Sequence, residues 1–354
     1  MTKQPIKYVP YCPLDESFEP CDSTELLAII RHLNRDEPVP VSQAFLRGTH
    51  LPDGRLDLCK QRIGATGCEQ IASAVAQNSH VNHLLLGANG LGNRGARAVA
   101  DLARHSEQIA TYYLGCNLIA QKGAAHLADA LIDNDHVTAI WLKRNPIGFE
   151  GAKSIARMLR RNRTLRTLDL VQTQIGPTGL RLIVESLCEA TNLSRLYIGG
   201  NQLGPKSAVS IAKLLAECRT LQHLYLAANR LGDEGANVLV AGLQSNECLR
   251  TLGLASNGIG PNGGRVLAET SRQHPSLKEL DLGYDRATPL LGESANEIGD
   301  EGAEAFATAL SDGMKLVRLD LQRNSISAVG MRDLVDAVSR NPCLKDLRLV
   351  LCQS

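Results

Sequence analysis

Aromatic side chains are scarce in this chain: four Phe, one Trp and seven Tyr make up 3% of its 354 residues. The places where those few rings sit therefore carry information that a common residue type would not. A charge excess is also missing, because 38 Lys and Arg stand against 37 Asp and Glu for a net charge of +1. That balance argues against the strongly basic footprint of a nucleic-acid binder. No apolar run reaches the length of a bilayer-spanning helix, and the polar, proline-containing start has no apolar core of signal-peptide length. The expectation is a cytoplasmic protein with no membrane partner. The ten cysteines include no Cys-x-x-Cys pair, which fits reduced thiols rather than a disulfide framework or zinc. No metal or other cofactor is expected.

What the sequence does have is a period. The step from Asn89 to Asn117 is repeated, once or twice over, between each of Asn117, Asn145, Asn201, Asn229 and Asn257, and a fixed spacing in this range marks a solenoid in which each unit contacts mainly its neighbours. Eleven units begin near Asp53, Val81, Ile109, Val137, Leu165, Leu193, Leu221, Leu249, Leu277, Leu316 and Leu344. When the first residue of each is numbered one, positions one, four, six and eleven are nearly all Leu, Ile or Val, the set expected to face inward. Position nine is Asn in most units, where its amide can bond unpaired backbone groups at the turn out of a strand; Gln61, Thr173, Asp285 and Cys352 depart from the rule. A glycine and a Gly-Ala pair then lead into a helical pattern, with Pro177, Pro205 and Pro261 at or just before helix starts. Parallel strands sit about 4.8 Å apart whereas packed helices need roughly 8–10 Å, so the strand layer is predicted to line the inside of a bend.

The rest of the chain divides around this array. Residues 1–21, with Pro5, Pro10, Pro13 and Pro20 among Tyr8, Tyr11 and Phe18, predict an extended arm. Residues 22–52 predict a helix-strand cap over the first repeat: Asp22 to Glu25 has the side chains of a capping box, a helix ends near Asn34, and a strand runs from Val39 to Leu46. The repeat domain then occupies 53–354, with 11 extra residues near 286–296 between Asp285 and Asn296. Insertions in solenoids tend to map to loops on the binding face. The last strand unit has no helix after it, so its edge is a candidate for self-association into a homo-oligomer.

Units such as Leu221 to Ala236, reading Leu-x-x-Leu-x-Leu-x-x-Asn-x-Leu-Gly-x-x-Gly-Ala, resemble the ribonuclease-inhibitor type of leucine-rich repeat over about residues 53–352. The resemblance implies an α/β fold: a βα horseshoe, a right-handed solenoid with about eleven parallel strands on the concave face and helices on the convex face. It also implies protein partners held on the concave sheet and rim loops. The family includes ribonuclease inhibitor, the Ran GTPase-activating protein, the sensor halves of nucleotide-binding receptors and bacterial effectors, so fold and function separate.

On the strands, positions two, three, five, seven and eight are expected to face solvent. Position five holds Tyr113, Trp141, Asp169, Tyr197 and Tyr225 in consecutive units, a ring row of the kind enriched at interface hot spots. Positions seven and eight beside it are often small, as at Gly115, Gly199 and Gly200, which predicts uncovered rings, and Asp169 among them predicts a grip on a partner's Arg or Lys. The solvent-facing positions carry twelve basic against six acidic residues, a surplus that favours steering of a partly acidic protein. Lys143, Arg144 and Arg195 flank the row, and Tyr284 and Arg286 stand at the insertion. The expected function is a non-enzymatic protein–protein interaction module. The alternative is a GTPase activator like the Ran-directed one, with Arg144 or Arg62 as its candidate residues. Enzyme motifs are thin: His83 and His223 lie five repeats apart, Gly87 to Gly92 is the repeat's own turn, and Cys59 and Cys116 are candidate exposed thiols without a neighbouring base.

Overall fold

The computed structural model describes residues 18–189 and 192–350, and the chain falls into two compact units that divide between Ile175 and Gly176. The first unit opens with a 3-10 turn, Ser23–Leu26, in which the Asp22 side chain accepts from Thr24 N–H and the Glu25 carboxylate accepts from Asp22 N–H. The turn runs into α1 (Leu27–Leu33), followed by the short antiparallel pair β1 (Gln43–Ala44) and β2 (Thr49–His50). The strand expected from Val39 to Leu46 is thus a hairpin, because Gly48 at φ 89° turns the chain back. After it come β3 (Arg55–Asp57), α2 (Gly64–Val75), β4 (His83–Leu85), α3 (Gly92–His105), β5 (Thr111–Tyr113), α4 (Gln121–Leu131), β6 (Ala139–Trp141), α5 (Gly148–Arg161) and β7 (Thr167–Asp169). Strands β3 to β7 are parallel and in register, so that Leu56, Leu84, Tyr112, Ile140 and Leu168 are successive partners, each one repeat further along the chain.

The second unit repeats the scheme: α6 (Gly176–Glu189), β8 (Arg195–Tyr197), α7 (Pro205–Glu217), β9 (His223–Tyr225), α8 (Gly232–Gln244), β10 (Thr251–Gly253), α9 (Pro261–Gln273) and β11 (Glu279–Asp281). The inserted residues then hold the single-turn α10 (Thr288–Leu291) before α11 (Gly299–Ser311), β12 (Arg318–Asp320), α12 (Ala328–Arg340) and β13 (Asp346–Arg348). Here too the described strands pair in parallel, and Glu279 still meets Arg318 in register although the insertion lengthens that one step of the chain. Together the two units hold the eleven parallel strands that the repeat predicts.

Each unit is built around the same core. In the second repeat Val81, Leu84, Leu86 and Leu91, at positions one, four, six and eleven, are 0–1% exposed; burying a side chain of that size contributes roughly 1.5–3 kcal/mol. The position-nine asparagines close the turns beneath them. Asn145 Nδ2 donates to the Leu142 carbonyl of its own strand and to Leu114 of the strand before, while its Oδ1 accepts from Asn117 and Ile119 N–H. At the insertion Asp285 leaves this row and Asn296 takes its place, donating to Leu254 and Leu282 and accepting from Asn257 and Ile259.

Candidate functional site

Position eight of the repeat sits in left-handed backbone, with Lys60, Ala88, Cys116, Arg144, Gln172, Ala228, Ser256 and Arg323 all at φ between 52° and 60°. Chain leaving each strand therefore turns sharply, and the strand face is carried mainly by positions two, three and five. Most position-seven and position-eight residues in the middle repeats are buried, Gly87, Ala88, Gly115 and Cys116 among them, which corrects the expectation that these positions face solvent.

In the first unit Tyr113 and Trp141 are register partners, half-buried, with ring centroids 6.4 Å apart and planes at 45°. The small residues beside them have a packing reason. A Cβ on Gly87 would overlap the Tyr113 ring, and one on Gly115 would stand 3.0 Å from the Lys143 stem. These glycines seat the ring and stem that come from the next strand, rather than leaving rings bare. The Lys143 ammonium lies 5.5 Å from the Tyr113 centroid, within cation–π range, so this ring already has a cation.

Asp169 is 2% exposed, and the expectation that it points into solvent to grip a partner's cation is corrected on that ground. One of its oxygens accepts from Val171 N–H at 2.8 Å. Burial pushes its carboxyl up to about 6, against the opposing pull of that hydrogen bond, Lys143 and Arg144. Its charge is met from within the chain.

In the second unit Tyr197 and Tyr225 stack face to face, 4.3 Å between centroids at 4°. Arg195 precedes them on β8, and His223 on β9 meets the Thr251 hydroxyl at 3.0 Å; burial first, then Arg195, lowers the His223 pKa. Beyond Tyr225 the row continues as Gly253, Asp281, Asp320 and Arg348. Burial pushes Asp281 up to about 6, with Asp320 and Asp285 adding to the rise.

The insertion folds onto the rim loops of its own unit. Glu293, whose side chain is 2% exposed, accepts from Arg230 Nε at 2.7 Å, and Leu291 is buried while Leu290 remains 61% exposed. Asp285 caps the turn by accepting from Ala287 N–H. Tyr284 is covered by the Arg323 guanidinium at 4.6 Å, whereas Arg286 is exposed. At the start of the first unit Phe18 rests on Gly90 and Pro20 on Gly64, with Arg62 5.8 Å from the Phe18 centroid and donating to the Glu19 carbonyl. Tyr8 and Tyr11 of the predicted arm lie outside the described residues, as does Cys352.

Several residues escape sequence reasoning. A second polar row stands at the helix ends, where Asn78, Asn134, Asn162, Asn246 and Asn341 donate to carbonyls of the preceding helix or its end, and at the corresponding place His274 Nδ1 accepts from Ser276 and Leu277 N–H. Their regular spacing is the signal that could have found them. His32 and His50 form a buried pair in the cap, Nε2 to Nδ1 at 2.9 Å, and burial lowers both pKa values. Cys116 is buried and Cys59 is half-buried with its thiol pushed up to about 12 by burial and Asp57, so neither is an exposed reactive thiol. Cys188 lies in the last turn of α6, Cys218 follows the end of α7, and Cys248 lies in the loop after α8. Among the described residues no cluster of three or more His, Cys, Asp or Glu is arranged to hold a metal ion, and no helix is long and apolar enough to cross a membrane.

Comparisons with known proteins bear on the fold. The family model for Leucine Rich repeat matches residues 77–100, 161–184, 217–240, 245–268 and 294–307. A chain in the crystal structure of a Rad7 and Elc1 complex in yeast is similar over 93% of this chain and 77% of its own, with a TM-score of 0.54 at 13% identity. A structure of leiomodin-1 actin-binding site 2 matches 46% of this chain and 88% of its own at a TM-score of 0.38 and 17% identity. No curated protein matches the sequence significantly. At such identities the likeness speaks for fold, and fold alone does not name a function. With the repeat model recurring between positions 77 and 307 and each strand one repeat beyond its neighbour in register, the chain is a leucine-rich-repeat protein.

Proposed function

We propose that this chain is a cytoplasmic, non-enzymatic interaction module that seats a partly acidic protein on its strand faces and rim loops. The carrying observation is the pair of aromatic clusters, Tyr113 with Trp141 and Tyr197 with Tyr225, each half-buried at position five of its own unit. Half-buried rings held by packing lose little freedom on binding, which is why Tyr and Trp dominate hot spots. Lys143, Arg144 and Arg195 beside them supply the positive field that favours acidic partners, and Arg286 with Leu290 offers a rim contact at the insertion. In this reading residues 22–52 cap the array and 53–354 bind.

Capture from source lysate by the wild-type chain, compared with a Trp141→Ala and Tyr197→Ala double variant, tests it. Selective loss of a protein from the variant supports the reading; equal capture contradicts it. Binding that does not weaken between low and high salt removes the electrostatic part. Acceleration of single-turnover GTP hydrolysis by a small GTPase would replace the reading with that of a GTPase activator. β13 ends the strand order, and we propose that edge for self-association; a monomer by sedimentation at micromolar concentration contradicts that.

A further inference from the structure

The outer side of α12 breaks the pattern of α11. On α11 the stripe Ala303, Ala307 and Leu310 is buried, and it faces α12: a Cβ on Gly330 would stand 3.0 Å from the Ala303 Cβ. One repeat later the same three places hold Met331, Val335 and Val338, with Val335 57% exposed and the other two half-buried. The strand layer loses cover in the same way, since Leu319 of β12 is buried whereas its register partner on β13, Leu347, is half-buried. Of the described helices only α11 packs against α12, and a repeat at the edge of an array ordinarily turns a polar face outward. This stripe is apolar. Its side chains are also bulkier than the alanines of α11, which suits a facing helix at the wider end of the roughly 8–10 Å packing range.

The flanking charges say which helix that is. Arg332 and Asp336 lie beside the stripe one turn apart, both exposed, and neither makes an ion pair among the described residues. A second α12 laid antiparallel on the first brings Met331 against Val338 of the second copy, Val335 against its own counterpart, and Arg332 against Asp336, with each unlike pair formed twice. The midpoints of these three pairings fall within one residue of each other, about 1.5 Å along the helix. A single two-fold axis therefore serves all of them, as an isologous interface requires. β13 is self-complementary in the same sense: Asp346 and Arg348 stand on either side of Leu347, so antiparallel pairing about Leu347 sets each of them opposite the other's charge.

We propose that the stripe on α12, with the β13 edge beside it, is the contact between two copies of this chain, related by a two-fold axis with their α12 helices antiparallel. The proposal deepens the self-association proposed for the β13 edge and rests on it. It is independent of the protein bound on the strand faces.

Sedimentation velocity of the full chain across the micromolar range tests it, and the expected result is a monomer–dimer equilibrium. Val335→Asp, at an exposed position, should weaken the dimer at least about tenfold, because the contact would bury an unpaired carboxylate. Arg332→Asp and Asp336→Arg should each weaken it, since like charges then meet twice, and the double variant that carries both changes should restore association to the wild-type level. Thermal melts establish that the variants are folded; if a charge variant is not, Val335→Asp decides. A monomer at every concentration overturns the contact and the self-association reading together. A dimer that Val335→Asp leaves intact overturns the α12 contact while self-association through another surface stands. A dimer that Val335→Asp weakens but the charge swap does not restore overturns the two-fold arrangement.

Discussion

The two units carry the same repeat and treat its aromatic row differently. In the first, Tyr113 and Trp141 sit at a tilt of 45° and Lys143 lies over Tyr113, with the neighbouring carboxylate, Asp169, buried. In the second, Tyr197 and Tyr225 are parallel at 4°, and the next position is a glycine with a carboxylate beyond it. Ring, cation and carboxylate come together in the first unit, whereas in the second the ring of Tyr225 is met by the parallel ring of Tyr197. A row recurring at one position along a solenoid can thus be packed with a tilted ring pair and a cation in one stretch and with a parallel ring stack in the next.

The strongest way to show that both units rest on one scaffold is to remove the same ladder residue from each. Asn117→Ala and Asn229→Ala each strip partners from buried backbone groups, Leu86 and Leu114 carbonyls in one case and Ile198 and Leu226 in the other. At roughly 1–3 kcal/mol for each buried group left unpaired, two such carbonyls should cost each variant roughly 2–6 kcal/mol in urea unfolding. A loss in one unit only would break the likeness.

The next largest effect sharpens the contrast. Asp169 has its folded pKa raised to about 6 from an ordinary 3.8, so the folded state binds the extra proton between those values and stability falls as pH rises from about 4 to about 6. Asp169→Asn should therefore raise stability at pH 7.5, by up to roughly 3 kcal/mol at 1.36 kcal/mol per unit, and the gain should vanish near pH 4 in thermal melts. Asp281→Asn should show the same sign with a smaller gain, its carboxylate being less buried. Stabilisation that is independent of pH would refute the assigned cause.

On binding, Trp141→Ala and Tyr197→Ala should each cost about 2 kcal/mol, or roughly thirtyfold in affinity for a captured partner. Smaller still is the effect of acid on the cap. His32 and His50 have lowered pKa values in the fold, so the unfolded chain takes protons first and the stability they contribute is lost as pH falls below about 6.5. Hydrogen exchange of α1 and β2 should speed up at pH 5 relative to pH 7.5, more than that of α8. The least effect is expected from Arg230→Ala, which frees Glu293 and should raise exchange only in residues 286–296 and the rim loop beneath.

How much of this is legible in the sequence follows from which residues do a fixed job at a fixed spacing. Leu, Ile or Val at four positions and Asn at the ninth each have one role in most units, so the period exposes the strands, the core and the turn ladder, including the resumption at Asn296. The left-handed turn at position eight stays hidden, because Lys, Ala, Cys, Arg, Gln and Ser all occupy it and no residue type marks the conformation. Asp169 misleads because strand alternation gives a direction but not the depth of cover around it. Gly87 and Gly115 suggest bare rings, although they make room for groups arriving from the next strand. The Arg230–Glu293 pair joins positions 63 apart, across an insertion that has no period to read.

The most direct test of the central claim is hydrogen exchange on the chain with its captured protein partner bound. Slowed exchange confined to peptides covering the strands β5, β6, β8, β9 and β10, with the helices α3, α4, α7 and α8 unchanged, is the predicted footprint. Slowed exchange on those helices with the strand peptides unaffected would contradict the account.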